Sequence, residues 1–280
     1  MDKKKLPVIP SDRVDDLHNL EIADSADLVL FMAGNQFMVM KEIVSAFRKE
    51  YPDIQKIFYE TLPPGLELKQ ILSGGAFFRG EKIDVRADIY SSVNENAMET
   101  LKKAGHILEG DYHLYLHNRL TLMVQKGNPA GIKSVIDLGR DSIRISQPDP
   151  ANEDIAFHII DMYRHAGGDE LVHRIMEKKR AEGTTILTVV HHRETPLRIL
   201  KKTVDVGPVW TTEAIHAKAS GLSFDVVEPG EELDQRNRIN YYICKLKHSP
   251  HPDNADKFIK FIRSTVARRI YQKYGFLVHL

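Results

Sequence analysis

The chain has 280 residues, 42% hydrophobic and 28% charged, as expected of a globular protein with one large domain or two smaller ones. Lys plus Arg and Asp plus Glu both number 39, so no overall basic field attracts nucleic acid or an anionic membrane. The one cysteine, Cys244, excludes an intrachain disulfide and a cysteine zinc cluster. No apolar run reaches the roughly 18 residues a membrane span needs, so no membrane insertion is expected.

The start, "MDKKKLPVIPSDRVDDLHNLEIADSAD", has lysines at 3 to 5 but no apolar stretch after them, so it does not read as a signal peptide. A cytoplasmic protein is expected unless a leader has been removed, and residues 1–26 read as a polar arm. In "DLVLFMAGNQFMVMKEIVSAFRKEYPDI" an apolar run, Asp27–Met32, breaks at Ala33-Gly34-Asn35-Gln36. Phe37, Met40, Ile43, Val44 and Phe47 then follow at helical spacing. A buried strand feeding a helix through a tight turn is predicted. Such a corner gathers free N–H groups at a helix N-terminus, which favours anions, or it caps the helix and nothing more.

The alternation continues. A strand is predicted over Ile54–Leu62, a helix from Leu66, a strand at Asp88–Ser92 and a helix over Asn94–Ala104. Further on come strands at Leu120–Val124, Ile143–Ser146, Val204–Trp210 and Arg238–Lys247. Helices are predicted at Ser134–Leu138, from Ala156 to the Gly167-Gly168 pair, over Leu171–Arg180, around Pro196, from Thr212, and over Asp253–Tyr274 as one or two amphipathic elements. This order implies an α/β fold with a largely parallel sheet.

Six colinear stretches resemble the periplasmic molybdate- and tungstate-binding proteins, substrate-binding components of ABC transporters with the type 2 solute-binding fold. They are "VLFMAGNQFMVMKEIVSAFRKEYP", "LPPGLELKQILSGG", "RADIYSSVNENAMETLKKAG", "NRLTLMVQKGNPAGIKSVIDL", "VDVGPVWTTEA" and "RINYYICKLKHSPHPDNADKFIKFI". The resemblance runs from Asp27 to Leu280. It implies an α/β fold of two lobes joined by two crossover segments. Lobe one would be 27–118 with 239–280, lobe two 119–238. A small oxyanion such as molybdate or tungstate would bind between the lobes by hinge closure, with no cofactor. A monomer delivering its ligand to a permease, and a periplasmic or extracytoplasmic location, follow from the same likeness.

The family places a serine in each of the first two ligand loops. Here Asn35 and Gln36 occupy the first, and Pro63, Pro64 and Gly65 the second. Asn35 retains amide donors, while prolines donate none, so Gly65 and later amides would serve the second loop. The third region, "PDPANEDIA", offers amides near Asn152 among the carboxylates Asp149, Glu153 and Asp154, which read as helix caps. In an archaeal branch an aspartate near the place of Glu153 ligates the metal, but that branch's partner glutamate falls at Val209 here. The fourth region, "HHRET", puts His192 and Arg193 at a ligand loop, and Arg193 would pair bidentately with an oxyanion or form a salt bridge elsewhere. Trp210 replaces a cleft tyrosine, either donating its indole N–H or simply buried.

Two other readings stand beside this one. A cytoplasmic or sensory binding protein of the same fold, for a small carboxylate or phosphate, fits the missing leader. An enzyme would use His191, His192 and Glu194. Adjacent histidines point apart on a helix or strand, however, and His113 and His117 share a face without a nearby acidic third ligand. Cys244, in an apolar strand, reads as core.

Overall fold

The computed structural model describes residues 6–108, 110–151, 153–189 and 194–279. Asn152, His191, His192 and Arg193 lie outside the described residues. The chain divides into two compact units, unit 1 (Met1–Leu116 with Asn240–Leu280) and unit 2 (His117–Ile239).

Unit 1 opens with β1 (Val8–Ile9), β2 (Leu17–His18), β3 (Leu28–Phe31), α1 (Phe37–Glu50), β4 (Ile57–Glu60) and α2 (Pro64–Ser73). It continues through β5 (Ala76–Phe78), β6 (Glu81–Ile83), β7 (Ile89–Ser92), α3 (Glu95–Lys103) and β8 (Tyr112–His117). Unit 2 holds β9 (Leu120–Gln125), β10 (Ile145–Gln147), α4 (Ile155–His173), α5 (Lys179–Ala181), β11 (Thr185–Leu187), α6 (Glu194–Leu200), β12 (Val206–Trp210), α7 (Thr211–Ala219) and β13 (Phe224–Val227). The chain returns to unit 1 with β14 (Asn240–Lys245), α8 (Pro252–Ile262), α9 (Thr265–Lys273) and β15 (Leu277–Val278).

The main sheet of unit 1 has the order β15-β8-β14-β7-β3-β4-β2, and that of unit 2 β11-β10-β12-β9-β13. β3 runs parallel to both β4 and β7, and β10 parallel to both β11 and β12. The apolar run of β3 is buried throughout, as a central parallel strand covered on both faces requires. On α1, Met40, Ile43, Val44 and Phe47 turn inward. The Phe47 ring meets Phe258 and Phe261 of α8 edge-on, with centroids 5.2 and 5.4 Å away. Each fully buried phenylalanine contributes roughly 1.5–3 kcal/mol.

Asp88, fully buried ahead of β7, joins three elements. Its Oδ2 accepts the Val29 N–H at 2.7 Å and lies 3.0 Å from His251 Nδ1, while its Oδ1 accepts Ser249 Oγ at 2.5 Å and the His251 N–H at 2.8 Å. The start of β7, the strand β3 and the entry to α8 are thereby held together.

The structure bears on three local expectations. The segment before Ala26 is not a free arm from residue 6 onward. β1 pairs with β5 and β2 with β4, burying Ile9 and Leu17. Two-residue strands are too short to show a period in sequence. Of the two forms expected for the C-terminal amphipathic stretch, the structure has the pair of helices, with Ser264 accepting the Ala267 N–H as the cap of the second. Finally, the backbone leaves the helical conformation at Gly167 and Gly168 (Gly168 φ 69°), so α4 is two helical pieces that meet at the glycine pair, where the first was expected to stop.

Candidate ligand-binding edges

Strand order places the candidate site in each unit separately. In unit 1 the chain passes from β3 to β4 on one side and later sets β7 on the other. In unit 2 it passes from β10 to β11 on one side and sets β12 on the other. Both β3 and β10 are topological switch points, where the loops at the carboxyl ends diverge and leave room for a ligand. The loop after β3 carries Asn35 and Gln36. The loop after β10 leads through Asp149 to Glu153.

At the edge of unit 1 the close approach of two loops fixes the backbone. A Cβ on Gly34 would lie 3.0 Å from the carbonyl oxygens of both Thr61 and Leu62, so only glycine lets the loops after β3 and β4 touch. Gln36 is fully buried and its amide is consumed internally. Its Nε2 donates to Ser91 Oγ at 3.0 Å, and its Oε1 accepts the hydroxyls of Tyr115 at 3.0 Å and Tyr271 at 2.8 Å. Gln36 therefore positions the loop, and its side chain has little left for a ligand.

Asn35, also buried, donates through Nδ2 to the Tyr241 hydroxyl, and its Oδ1 has no hydrogen-bond partner among the described residues. A half-turn of this amide lets Tyr241 donate to Oδ1 and leaves the NH2 group to meet an acceptor. Pro64 stands at the first position of α2, where its missing N–H costs nothing, and its carbonyl accepts the Tyr90 hydroxyl at 2.9 Å. Gly65, next in α2, is exposed with open space before it. Its N–H belongs to the first turn, which has no intrahelical acceptor.

Beneath this edge lie two carboxyls that sequence reasoning passed over. Glu60, at the end of β4, and Glu67, on α2, are both fully buried. Gln70 Nε2 donates to Glu60 Oε2 at 2.8 Å, and the Leu62 N–H to Glu67 Oε1 at 3.1 Å. Burial pushes Glu60 up to about 8, opposed by the Gln70 hydrogen bond and reinforced by the Asp16 charge. Burial, then the neighbouring Glu60, raises Glu67 well above the carboxylate range. Burial favours the protonated form of both, which lessens the negative charge that this pair sets against an anion at the loops above. A glutamate inside the otherwise apolar strand "IFYE" was the available signal.

Unit 2 repeats the plan. Gln147, closing β10, is buried and accepts the Tyr163 hydroxyl at 2.7 Å. Glu153 is buried, its carboxyl accepts the Thr188 hydroxyl, and its N–H bonds the Asp149 carbonyl at 2.9 Å. These bonds make Glu153 a loop-fixing acceptor. Burial raises Asp154, at the N-cap of α4. Trp210 ends β12, almost fully buried, its ring 5.9 Å from that of His158. Burial lowers the His158 pKa, against the hydrogen bond of its Nδ1 to the Gln235 amide oxygen. Thr211 starts α7, and its Oγ1 has no hydrogen-bond partner among the described residues.

Glu194 of the His191-His192 motif opens α6, where its Oε1 accepts the Val189 N–H at 2.8 Å and its Oε2 pairs with Arg198 at 2.7 Å. That is a cap and an ion pair. No group of three or more His, Cys, Asp or Glu among the described residues is placed to hold a metal.

A family model described as bacterial extracellular solute-binding protein matches residues 28–277. The chain belongs to that family. Among its relatives is a Bacillus subtilis (strain 168) protein named as an ABC transporter substrate-binding lipoprotein, YvgL. It is 24% identical over 212 residues, covering 73% of this chain and 72% of the relative. The periplasmic molybdate-binding protein of Azotobacter vinelandii has a similar fold, with a TM-score of 0.69 at 17% identity over 90% of this chain and all of the other. So does the sulfate-binding protein SubI of Mycobacterium tuberculosis H37Rv, with a TM-score of 0.70 at 18% identity over 89% and 85% of the two chains. The α/β units here present helix N-termini at strand ends. No helix among the described residues is long and apolar enough to cross a membrane.

Proposed function

We propose that this solute-binding protein captures a small tetrahedral oxyanion of the molybdate, tungstate or sulfate type, outside the cytoplasm, and hands it to an ABC transporter permease. The observation that carries this reading is the pair of switch points at β3 and β10, each with a buried, hydrogen-bonded glutamine at the strand-end loop. Asn35, the N–H of Gly65 in the first turn of α2, and the Trp210 indole with the first turn of α7 supply neutral donors. Arg193, by its sequence position, adds a charged one. Glu60 and Glu67, whose burial favours the protonated form, limit the negative charge beneath the unit 1 edge. The molybdate- and sulfate-binding proteins of similar fold support the ligand class. No step of bond-breaking chemistry is proposed.

A thermal-shift and titration panel of molybdate, tungstate, sulfate, phosphate and small carboxylates tests this. A ligand at about 100 times its Kd stabilises the native state by roughly 2.7 kcal/mol. Arg193→Ala weakens the responding oxyanion roughly 10- to 150-fold with the melting temperature unchanged. A flat panel sinks the oxyanion reading, and a response to carboxylates alone replaces it.

A further inference from the structure

Unit 1 contains a second concavity, of about 970 Å³, between the outer face of α1 and the segment 14–19. None of Asn35, Gln36, Pro64 or Gly65 lines it. Lys41, Ser45, Arg48 and Lys49 do. Their spacing of four, three and one residues puts them on one helical face. His18 forms part of the opposite wall, stacked on Tyr59 with ring centroids 4.2 Å apart and planes 13° apart. The lining holds three fixed cations against one carboxylate, Asp15.

These cations are uncommitted. None of Lys41, Arg48 and Lys49 is ion-paired with another described residue, although sixteen close contacts between basic and acidic side chains are found elsewhere among the described residues. Arg48 Nε is shielded from solvent and has no hydrogen-bond partner among the described residues. A desolvated guanidinium N–H without an acceptor is costly, and the planar fork matches the oxygens of an oxyanion. Two ammonium groups on the same face call for more than one negative charge. A space of this size exceeds what one tetrahedral ion fills and suits a ligand at the upper end of small-molecule dimensions.

We propose that this groove is a second anion site, separate from the strand-end loops, and that it takes a phosphate-bearing polyanion. Arg48 holds one phosphate group through its fork, Lys41 and Lys49 hold the flanking charge, and the Ser45 hydroxyl supplies a neutral donor. The phosphate comes from a soluble compound or from an anionic lipid headgroup, and the chemistry at Arg48 is the same.

The test is titration of inorganic tripolyphosphate into the full chain at about 0.15 M salt, where diffuse surface attraction is screened. Wild type, Arg48→Gln, the double variant Lys41→Gln/Lys49→Gln, and Gly65→Glu are compared. Both groove variants are expected to lose roughly tenfold or more in affinity, while Gly65→Glu retains it. Lys41 and Lys49 are exposed, so the double variant keeps its fold even if Arg48→Gln does not. Co-sedimentation with phosphatidylglycerol vesicles identifies the source. Sedimentation lost in the groove variants assigns a lipid headgroup, and tripolyphosphate binding without sedimentation assigns a soluble phosphate compound. No binding at that salt, affinity unchanged in the groove variants, or loss only in Gly65→Glu overturns the site. The oxyanion panel on the groove variants stands apart from this result, because those residues do not touch the strand-end loops.

Discussion

Gln36 Oε1 accepts the hydroxyl of Tyr271 at 2.8 Å, although 235 residues separate the two. The loop after β3 is thus anchored by the last helix of the chain, together with Tyr115 on β8 and Ser91 on β7. Asn35, one residue before, owes its position to this anchor. Burial raises the pKa of both tyrosines, so they stay neutral donors across the usable pH range.

Replacing Gln36 by leucine removes an acceptor from two buried tyrosines and a donor from Ser91. Orphaned buried polar groups cost about 1–3 kcal/mol each, with partial relaxation, so a loss of roughly 2–4 kcal/mol in urea unfolding is expected. A large affinity loss at unchanged stability would instead make Gln36 a direct ligand contact.

Gly34→Ala forces the Thr61 and Leu62 carbonyls away from a new methyl 3.0 Å distant. Both neighbours are backbone, so the adjustment is expected to cost roughly 1–3 kcal/mol and to weaken the responding oxyanion by shifting Asn35. Wild-type melting temperature and affinity together would show that the loops have slack.

Gly65 gives the converse case. Nothing lies within 4 Å of its missing Cβ, and its backbone is helical, so Gly65→Ala should fold with stability unchanged or slightly raised. Gly65→Glu keeps the fold but places a carboxylate beside the donors of α2. Titration with the responding oxyanion should show at least a tenfold loss, and an intact affinity would remove Gly65 from the site.

Stability should depend on pH through Glu60. Its native pKa of about 8 lies above the ordinary 4.5. Below about pH 4.5 both native and unfolded states hold the proton, and the full stability is present. Between 4.5 and 8 only the native state holds it, and stability falls by about 1.4 kcal/mol per pH unit for one such proton. Above 8 this decline ends. Glu67, raised for the same reason, adds to the fall. Unfolding free energies of wild type and Glu60→Gln between pH 5 and 8 check this, and equal slopes would show that Glu60 is ionised in the native state. The responding oxyanion is also expected to bind more weakly above pH 8, where a carboxylate forms under the second loop.

Local order decided much of this protein. The helical period of Met40, Ile43, Val44 and Phe47 determined α1, and the apolar run before Gly34 determined β3, because burial on one face or on both leaves its mark on adjacent residues. The order of such elements, read along the chain, was enough for an α/β fold, and the likeness of six colinear stretches to a known family implied the solute-binding kind. What the sequence could not carry was partnership at a distance. Nothing near Gln36 announces that Tyr115 and Tyr271 will occupy its amide, and nothing near Glu60 announces Glu67 and Asp16. Those contacts arise from strand order, which sets residues far apart in sequence side by side in a region without water. There a polar group must find a partner, or a carboxyl must keep its proton. The tertiary structure alone therefore decided that Gln36 is an anchor, that Glu153 is tied to Thr188, and that the cations of α1 face an open groove.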